Sequence, residues 1–208
     1  MKKVESITLA DIHQNYPTDK GTGHNYINAY DKLFAPYQHK KINFMEVGIL
    51  LGGSLEMWNE YFPKANLYGV DDFSQVHTNS DFGGIDVSHD IVVDKLSKYD
   101  RITFIEPVNA RNNDIVKDKI GSLSIEFDII IDDGDHNPTS QLEVFDNFVP
   151  YLSKTGVYVI EDVCGVAQAN HIKNSINQKY NPIGWYPEIE IMPFNIHQRP
   201  DDILVVIK

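Results

Sequence analysis

The stretch Phe127-Asp128-Ile129-Ile130-Ile131, followed at once by Asp132-Asp133-Gly134-Asp135-His136, constrains this chain more than any other. A strand that is nearly all apolar is one covered on both faces, as in parallel sheets held between two layers of helices. Similar runs recur: Ile42–Gly48 reads as a first strand, Asn66–Val70 as a second, Ile102–Ile105 as a third, Phe127–Ile131 as the fourth and Gly156–Ile160 as a fifth. Between them, Leu55, Trp58 and Phe62 recur at helical spacing before Pro63. Leu142, Phe145, Phe148, Val149 and Leu152 mark a later helix. Ile189–Met192 and Ile203–Ile207 read as two closing strands. This alternation predicts an α/β fold with a mostly parallel, seven-stranded sheet flanked by helices. The residues before the first strand read as two helices, a cap over the sheet's working edge. One domain over 1–208 is expected, with the helical cap at 1–40 and the core at 41–208.

Composition narrows the partners. The 30 acidic residues outnumber the 18 lysines and arginines, for a net charge of -12. Such a chain is repelled by nucleic-acid backbones, although the charge also serves solubility. No apolar run approaches the length of a membrane span, and Met1-Lys2-Lys3 does not lead into an apolar stretch. The lone Cys164 permits no internal disulfide and fits a reducing compartment. The expected setting is the cytoplasm and the expected partner a small molecule or glycoconjugate. Neither nucleic acid nor a membrane is expected, and self-association is left open.

Two motifs carry chemistry. Glu46-Val47-Gly48-Ile49-Leu50-Leu51-Gly52-Gly53-Ser54 joins the first strand to a helix, where glycines allow a tight turn and close approach to a ligand. Asp71 ends the second strand about 20 residues beyond that loop, where an acid accepts hydrogen bonds from ribose hydroxyls. The loop departs from the G-x-G-x-x-G pattern of dinucleotide sites; its wider glycine spacing suits adenosylmethionine. A plain glycine turn, with Asp71 as a cap, is the competing reading. The second motif pairs Asp132-Asp133 with Glu161-Asp162 at the ends of the fourth and fifth strands. If those strands are neighbours, the carboxylates crowd one edge, a costly arrangement unless a cation neutralises it. Oxygen ligands suit magnesium, manganese or calcium. His136, just past Asp133, is placed to act as a general base. Helix capping explains one acid at each strand end, with Asp135 or Asn137 before Pro138 as the cap, but not both pairs.

With these motifs in order, the chain resembles the class I, S-adenosylmethionine-dependent sugar O-methyltransferases of the macrocin and mycinamicin type, which have a Rossmann-like fold. The resemblance runs from Tyr16-Pro17-Thr18-Asp19-Lys20-Gly21, with His24 and Tyr26, through Met45–Leu55, Met57-Trp58, Tyr61-Phe62-Pro63 and Tyr68–Asp71, to Ile131–His136 and Val159–Asp162. It implies Mg2+, or Mn2+, on Asp133, Glu161 and Asp162, and His136 as base for a sugar hydroxyl. It implies adenosylmethionine against Glu46, Gly48, Gly52, Ser54, Asp71 and Asp132. Asp19, His24 and Tyr26 are expected to line the substrate pocket from the cap, or else to organise the cap or an oligomer contact. The loops Phe73–Ile85 and Val163–Asn170 are expected to face substrate.

Two departures stand out. Ile105-Glu106-Pro107-Val108-Asn109-Ala110 replaces the Gly-Asp-Gln that family members carry near the adenine, and Asp135 replaces a serine. Two other functions compete with the methyltransferase reading. A cephalosporin-hydroxylase-like oxygenase would call for two histidines and a carboxylate on iron, and this cluster holds one histidine. A non-catalytic sugar- or nucleotide-binding module would have no need of His136 and the acids. His13, His39, His77, His89, His171 and His197 read as surface residues, Trp58 and Trp185 as core or pocket walls, and Cys164 as a small buried residue.

Overall fold

A computed structural model describes residues 6–73, 89–105, 108–194 and 199–208. Seven strands form one sheet: β1 (Asn43–Val47), β2 (Asn66–Val70), β3 (Ile102–Ile105), β4 (Phe127–Asp132), β5 (Leu152–Ile160), β6 (Ile189–Pro193) and β7 (Ile203–Ile207). Their order is β3-β2-β1-β4-β5-β7-β6. The first five are parallel, and β7 runs antiparallel to both β5 and β6. The helices are α1 (Leu9–Ile12), α2 (Ile27–Phe34), α3 (Gly53–Tyr61), α4 (His89–Leu96), α5 (Asn113–Lys119), α6 (Pro138–Phe148) and α7 (Gly165–Tyr180). This is the mostly parallel, seven-stranded α/β sheet the alternation predicts, with the Rossmann-like order the resemblance implies. The strand order turns back between β1 and β4, so the crevice beyond their carboxyl ends is where such sheets bind ligands.

Side-chain alternation along the strands builds two cores. Phe44, Ile129, Ile131, Val157 and Val159 face Trp58 and Leu55 of α3 and Tyr30 and Phe34 of α2. Met45, Val47, Ile130, Tyr158 and Val205 face Phe145 of α6 and Ile172 and Ile176 of α7. Two-sided burial is why β4 is apolar throughout except Asp128 and its terminal acid.

The structure refines several boundaries. The fifth strand begins at Leu152 rather than Gly156, and its pairing with β4 shifts register between Phe127 and Ile129. The helix expected to reach Leu152 ends at Phe148 and tightens into a 3-10 turn at Val149–Tyr151. Asn137 caps α6, accepting the Thr139 N–H at 2.9 Å, with Pro138 in its first turn. The N-terminal segment differs from a simple lid. Its α2 buries Ile27, Tyr30 and Phe34 beside α3, and the loop before it crosses the sheet edge. Among the described residues no helix is long and apolar enough to cross a membrane. His77, His197, Glu106, Pro107 and positions 74–85 of the expected substrate loop lie outside the described residues.

Candidate active site

The strand order places the ends of β1, β4 and β5 side by side, which is what gathers the acids. Pairing continues past the strands: the Asp133 N–H donates to the Val47 carbonyl at 2.8 Å and the Glu161 N–H to the Asp132 carbonyl at 2.9 Å. Gly48 sits at φ +82°, and a β-carbon there would lie 2.2 Å from the Asp133 carbonyl oxygen. The glycine therefore admits the end of β4. Asp162 adopts φ +53°, a left-handed backbone that aspartate tolerates better than most residues and that often marks a functional position.

The described side chains form a cluster that strand-end reasoning anticipates only in part. Lys20, 1% exposed, directs its ammonium at Asp133 Oδ2 (2.6 Å), at both oxygens of Glu161 (2.8 and 2.9 Å) and at Glu46 Oε1 (3.3 Å). The Tyr30 hydroxyl donates to Glu161 Oε1 at 2.5 Å, and the Tyr26 hydroxyl to Asp162 Oδ1 at 2.7 Å. Buried His24 stacks on Tyr26 and brings Nδ1 to 3.4 Å from both Asp162 and Asp202. Tyr26 and His24 thus meet the acids from the interior and do not line an open pocket; Asp19 is exposed. The remaining oxygens turn outward: His136 Nε2 lies 3.8 Å from Asp133 Oδ1 and 3.4 Å from Asp162 Oδ2. Asp135 accepts from the Ser140 hydroxyl at 2.6 Å, which turns its carboxylate toward α6. Sequence reasoning missed the roles of Lys20, Tyr30 and Asp202; Lys20 stood inside a quoted motif, but nothing local says where its side chain goes.

Burial and charge set the protonation states. Burial, then the charge of Asp133, pushes Glu161 well above the carboxylate range, against the pull of Lys20. Burial also raises Glu46 and Asp162, and pushes Asp132 up to about 8. Burial opposes ionisation of Asp133 too, but Lys20 and then His136 hold its carboxyl below its ordinary value. Asp133, backed by Asp162, pushes His136 up from 6.5 to about 9. Groups raised on folding stabilise the fold below their unfolded pKa and lose that contribution as pH climbs through the folded value. Unfolding temperature measured in EDTA should therefore fall between pH 6.5 and 9 as His136 deprotonates, with the raised Asp132 acting in the same direction. A flat profile over that window would contradict this electrostatic picture.

The residues expected at the cofactor divide into two groups. Glu46 is fully buried and accepts from the Ser54 hydroxyl at 2.7 Å, so this pair ties β1 to α3. Asp132 is also buried, and among the described residues its Oδ2 has no hydrogen-bond partner. Gly52 stands at φ +69° before α3, with Leu96 closing against it. Asp71 is partly exposed, and its carboxylate accepts the Ile49, Leu50 and Phe73 N–H groups at 2.8 to 3.1 Å. It shapes the glycine loop, with three of about four lone-pair sites of its carboxylate taken by those N–H groups. On the expected adenine side, Val108 is buried and Asn109 accepts the Arg111 N–H at 3.0 Å.

The donor set fits a hard divalent ion. Ligand atoms of Asp133, His136 and Asp162 lie within 4.8 Å of one another, with one oxygen of each aspartate already held from the interior. Ligand atoms of Glu46, Asp133 and Glu161 lie equally close, but the Lys20 ammonium stands among them.

Comparison with known proteins agrees with this architecture. No family model matches the chain. It is 30% identical over 162 residues to the 8-demethyl-8-alpha-L-rhamnosyl tetracenomycin-C 2'-O-methyltransferase of Streptomyces olivaceus, covering 74% of this chain and 37% of that protein. It is 30% identical over 163 residues to the mycinamicin VI 2''-O-methyltransferase of Micromonospora griseorubida, covering 74% and 36%. The chain thus spans little more than a third of the length of these relatives. Among solved structures, the MycE methyltransferase of the mycinamycin biosynthetic pathway, in complex with Mg, SAH and mycinamycin VI, superposes with a TM-score of 0.69 at 20% identity. That match covers 98% of this chain and 55% of the other.

Proposed function

This chain is a relative of the sugar O-methyltransferases, and on that premise we propose that it transfers a methyl group from S-adenosylmethionine to a hydroxyl of a sugar or glycosylated small molecule, with Mg2+ or Mn2+ at the site. The observation that carries the reading is the convergence of Asp133 Oδ1, Asp162 Oδ2 and His136 Nε2 in the crevice of a methyltransferase fold. When bound, the sulfonium cofactor supplies an electrophilic methyl and the cation supplies Lewis acidity.

The protein's own residues do the rest. Asp133 and Asp162 would hold the cation, with Glu161 behind them, its oxygens engaged by Lys20 and Tyr30. Asp71 and the loop that follows Gly48 receive the adenosine. His136 sits on the exposed side of the acids and takes the hydroxyl proton at Nε2. An imidazole held protonated by two carboxylates is a poor base. A cation held by Asp133 and Asp162 would offset their pull on His136, leaving its Nε2 to accept a proton nearer neutrality. Much of the rate then rests on aligning hydroxyl oxygen and methyl. The lone Cys164 allows no internal disulfide and fits a reducing compartment, and on that ground the reaction is proposed for the cytoplasm.

Calorimetric titration with adenosylmethionine, with and without Mg2+, tests this reading. Saturable cofactor binding and a divalent-dependent methyl transfer are expected. The absence of cofactor binding at millimolar concentration would sink the assignment, and activity surviving exhaustive EDTA would remove the metal from it.

A further inference from the structure

We propose that Lys20 is a positioning residue, the fixed internal cation that gathers Glu46, Asp133 and Glu161 and presets the site for a single divalent ion; this rests on the metal-dependent reading above. An ammonium has three protons to give. Here they meet carboxylate oxygens of three acids, two of them almost fully buried, at 2.6 to 3.3 Å. Lys20 takes the Oδ2 side of Asp133 and leaves Oδ1 facing His136. Tyr26 does the same for Asp162, taking Oδ1 and leaving Oδ2 outward. The cluster is thereby divided into an inner half hydrogen-bonded by Lys20 and Tyr26 and an outer half that faces His136.

The charge count agrees. Lys20 brings one positive charge to the inner acids Glu46, Asp133 and Glu161, and one dication at Asp133 and Asp162 would bring two more. Without Lys20 the same acids would call for a second ion, and the ligand atoms of Glu46, Asp133 and Glu161 lie close enough to take it.

The N-terminal loop is built to deliver this charge. The Asp19 carbonyl accepts the Thr22, Gly23 and His24 N–H groups at 2.8 to 3.0 Å, and the Lys20 carbonyl accepts that of Tyr26 at 3.0 Å. A β-carbon on Gly53 would lie 2.1 Å from the Pro17 carbonyl oxygen, so the loop is pressed against the start of α3. Lys20 lies 113 and 141 residues from Asp133 and Glu161 in sequence, so the loop ties the cap to the strand ends.

The test compares wild type, Lys20→Met, Lys20→Arg and the double variant Lys20→Met/Glu46→Gln, by thermal unfolding in EDTA and in millimolar Mn2+ and by Mn2+ titration followed by electron paramagnetic resonance. Lys20→Met should lose stability in EDTA, regain most of it in Mn2+, and take up one more ion per chain than wild type. Lys20→Arg should keep the wild-type ion count. The double variant should be more stable in EDTA than Lys20→Met and bind no extra ion. If Lys20→Met does not fold in EDTA, recovery of fold in the double variant supports the proposal and failure to recover overturns it. An equal loss of stability in EDTA and Mn2+ with the wild-type ion count would show a merely structural bridge and overturn it. If wild type binds no ion, the metal-dependent reading fails. An ion then gained by Lys20→Met would still support the role of Lys20, and none would overturn that as well.

Discussion

His136→Ala should fold, bind adenosylmethionine with affinity close to wild type, and lose about 10²- to 10⁴-fold in turnover, the usual contribution of a positioned general base. The imidazole is 45% exposed and its contacts are with Asp133 and Asp162, so removal leaves no core cavity. What it removes is the proton acceptor on the open side of the acids. The variant should also lose the stability change between pH 6.5 and 9 that His136 contributes in EDTA. Turnover on a glycosylated acceptor, set beside cofactor titration, separates a chemical defect from a binding defect. A variant with the wild-type rate would refute the base assignment.

Gly48→Ala is expected to have the largest effect on stability, on the order of 3–5 kcal/mol. Two costs add. The backbone stands at φ +82°, where an L side chain is strained, and the new β-carbon would come within 2.2 Å of the Asp133 carbonyl oxygen, 2.6 Å of its carbonyl carbon and 2.7 Å of Gly134 Cα. All three obstacles are backbone, so no side chain can swing away. Relief requires β1 and β4 to part where the Asp133 N–H bonds the Val47 carbonyl. Ion binding should therefore weaken together with stability, which denaturant unfolding and Mn2+ titration would both read. Wild-type stability in this variant would mean that the two strand ends are not held so close.

The alternation of apolar runs with helical spacing made the sheet legible, because burial on two faces leaves a local record in each strand. The shorter α4, α5 and the polar-faced α7 left a weaker record; α7 buries only Ala169, Ile172 and Ile176 along its 16 residues. Gly48 was legible as a glycine that the backbone requires, but the object approaching it is another strand end. Asp71 was legible as an acid ending the second strand, and its bonds to three backbone N–H groups emerged only with the loop folded around it.

The sequence by itself determined the architecture and the acids at the ends of β4 and β5, since each depends on residues next to one another in the chain. Only the tertiary structure decided what those acids face. Lys20, His24, Tyr26 and Tyr30 come from the opposite end of the chain and reach Glu46, Asp133, Glu161, Asp162 and Asp202 from within. A buried charge must find its counter-charge wherever the fold brings one near, and that pairing follows distance in space, which a one-dimensional pattern does not record.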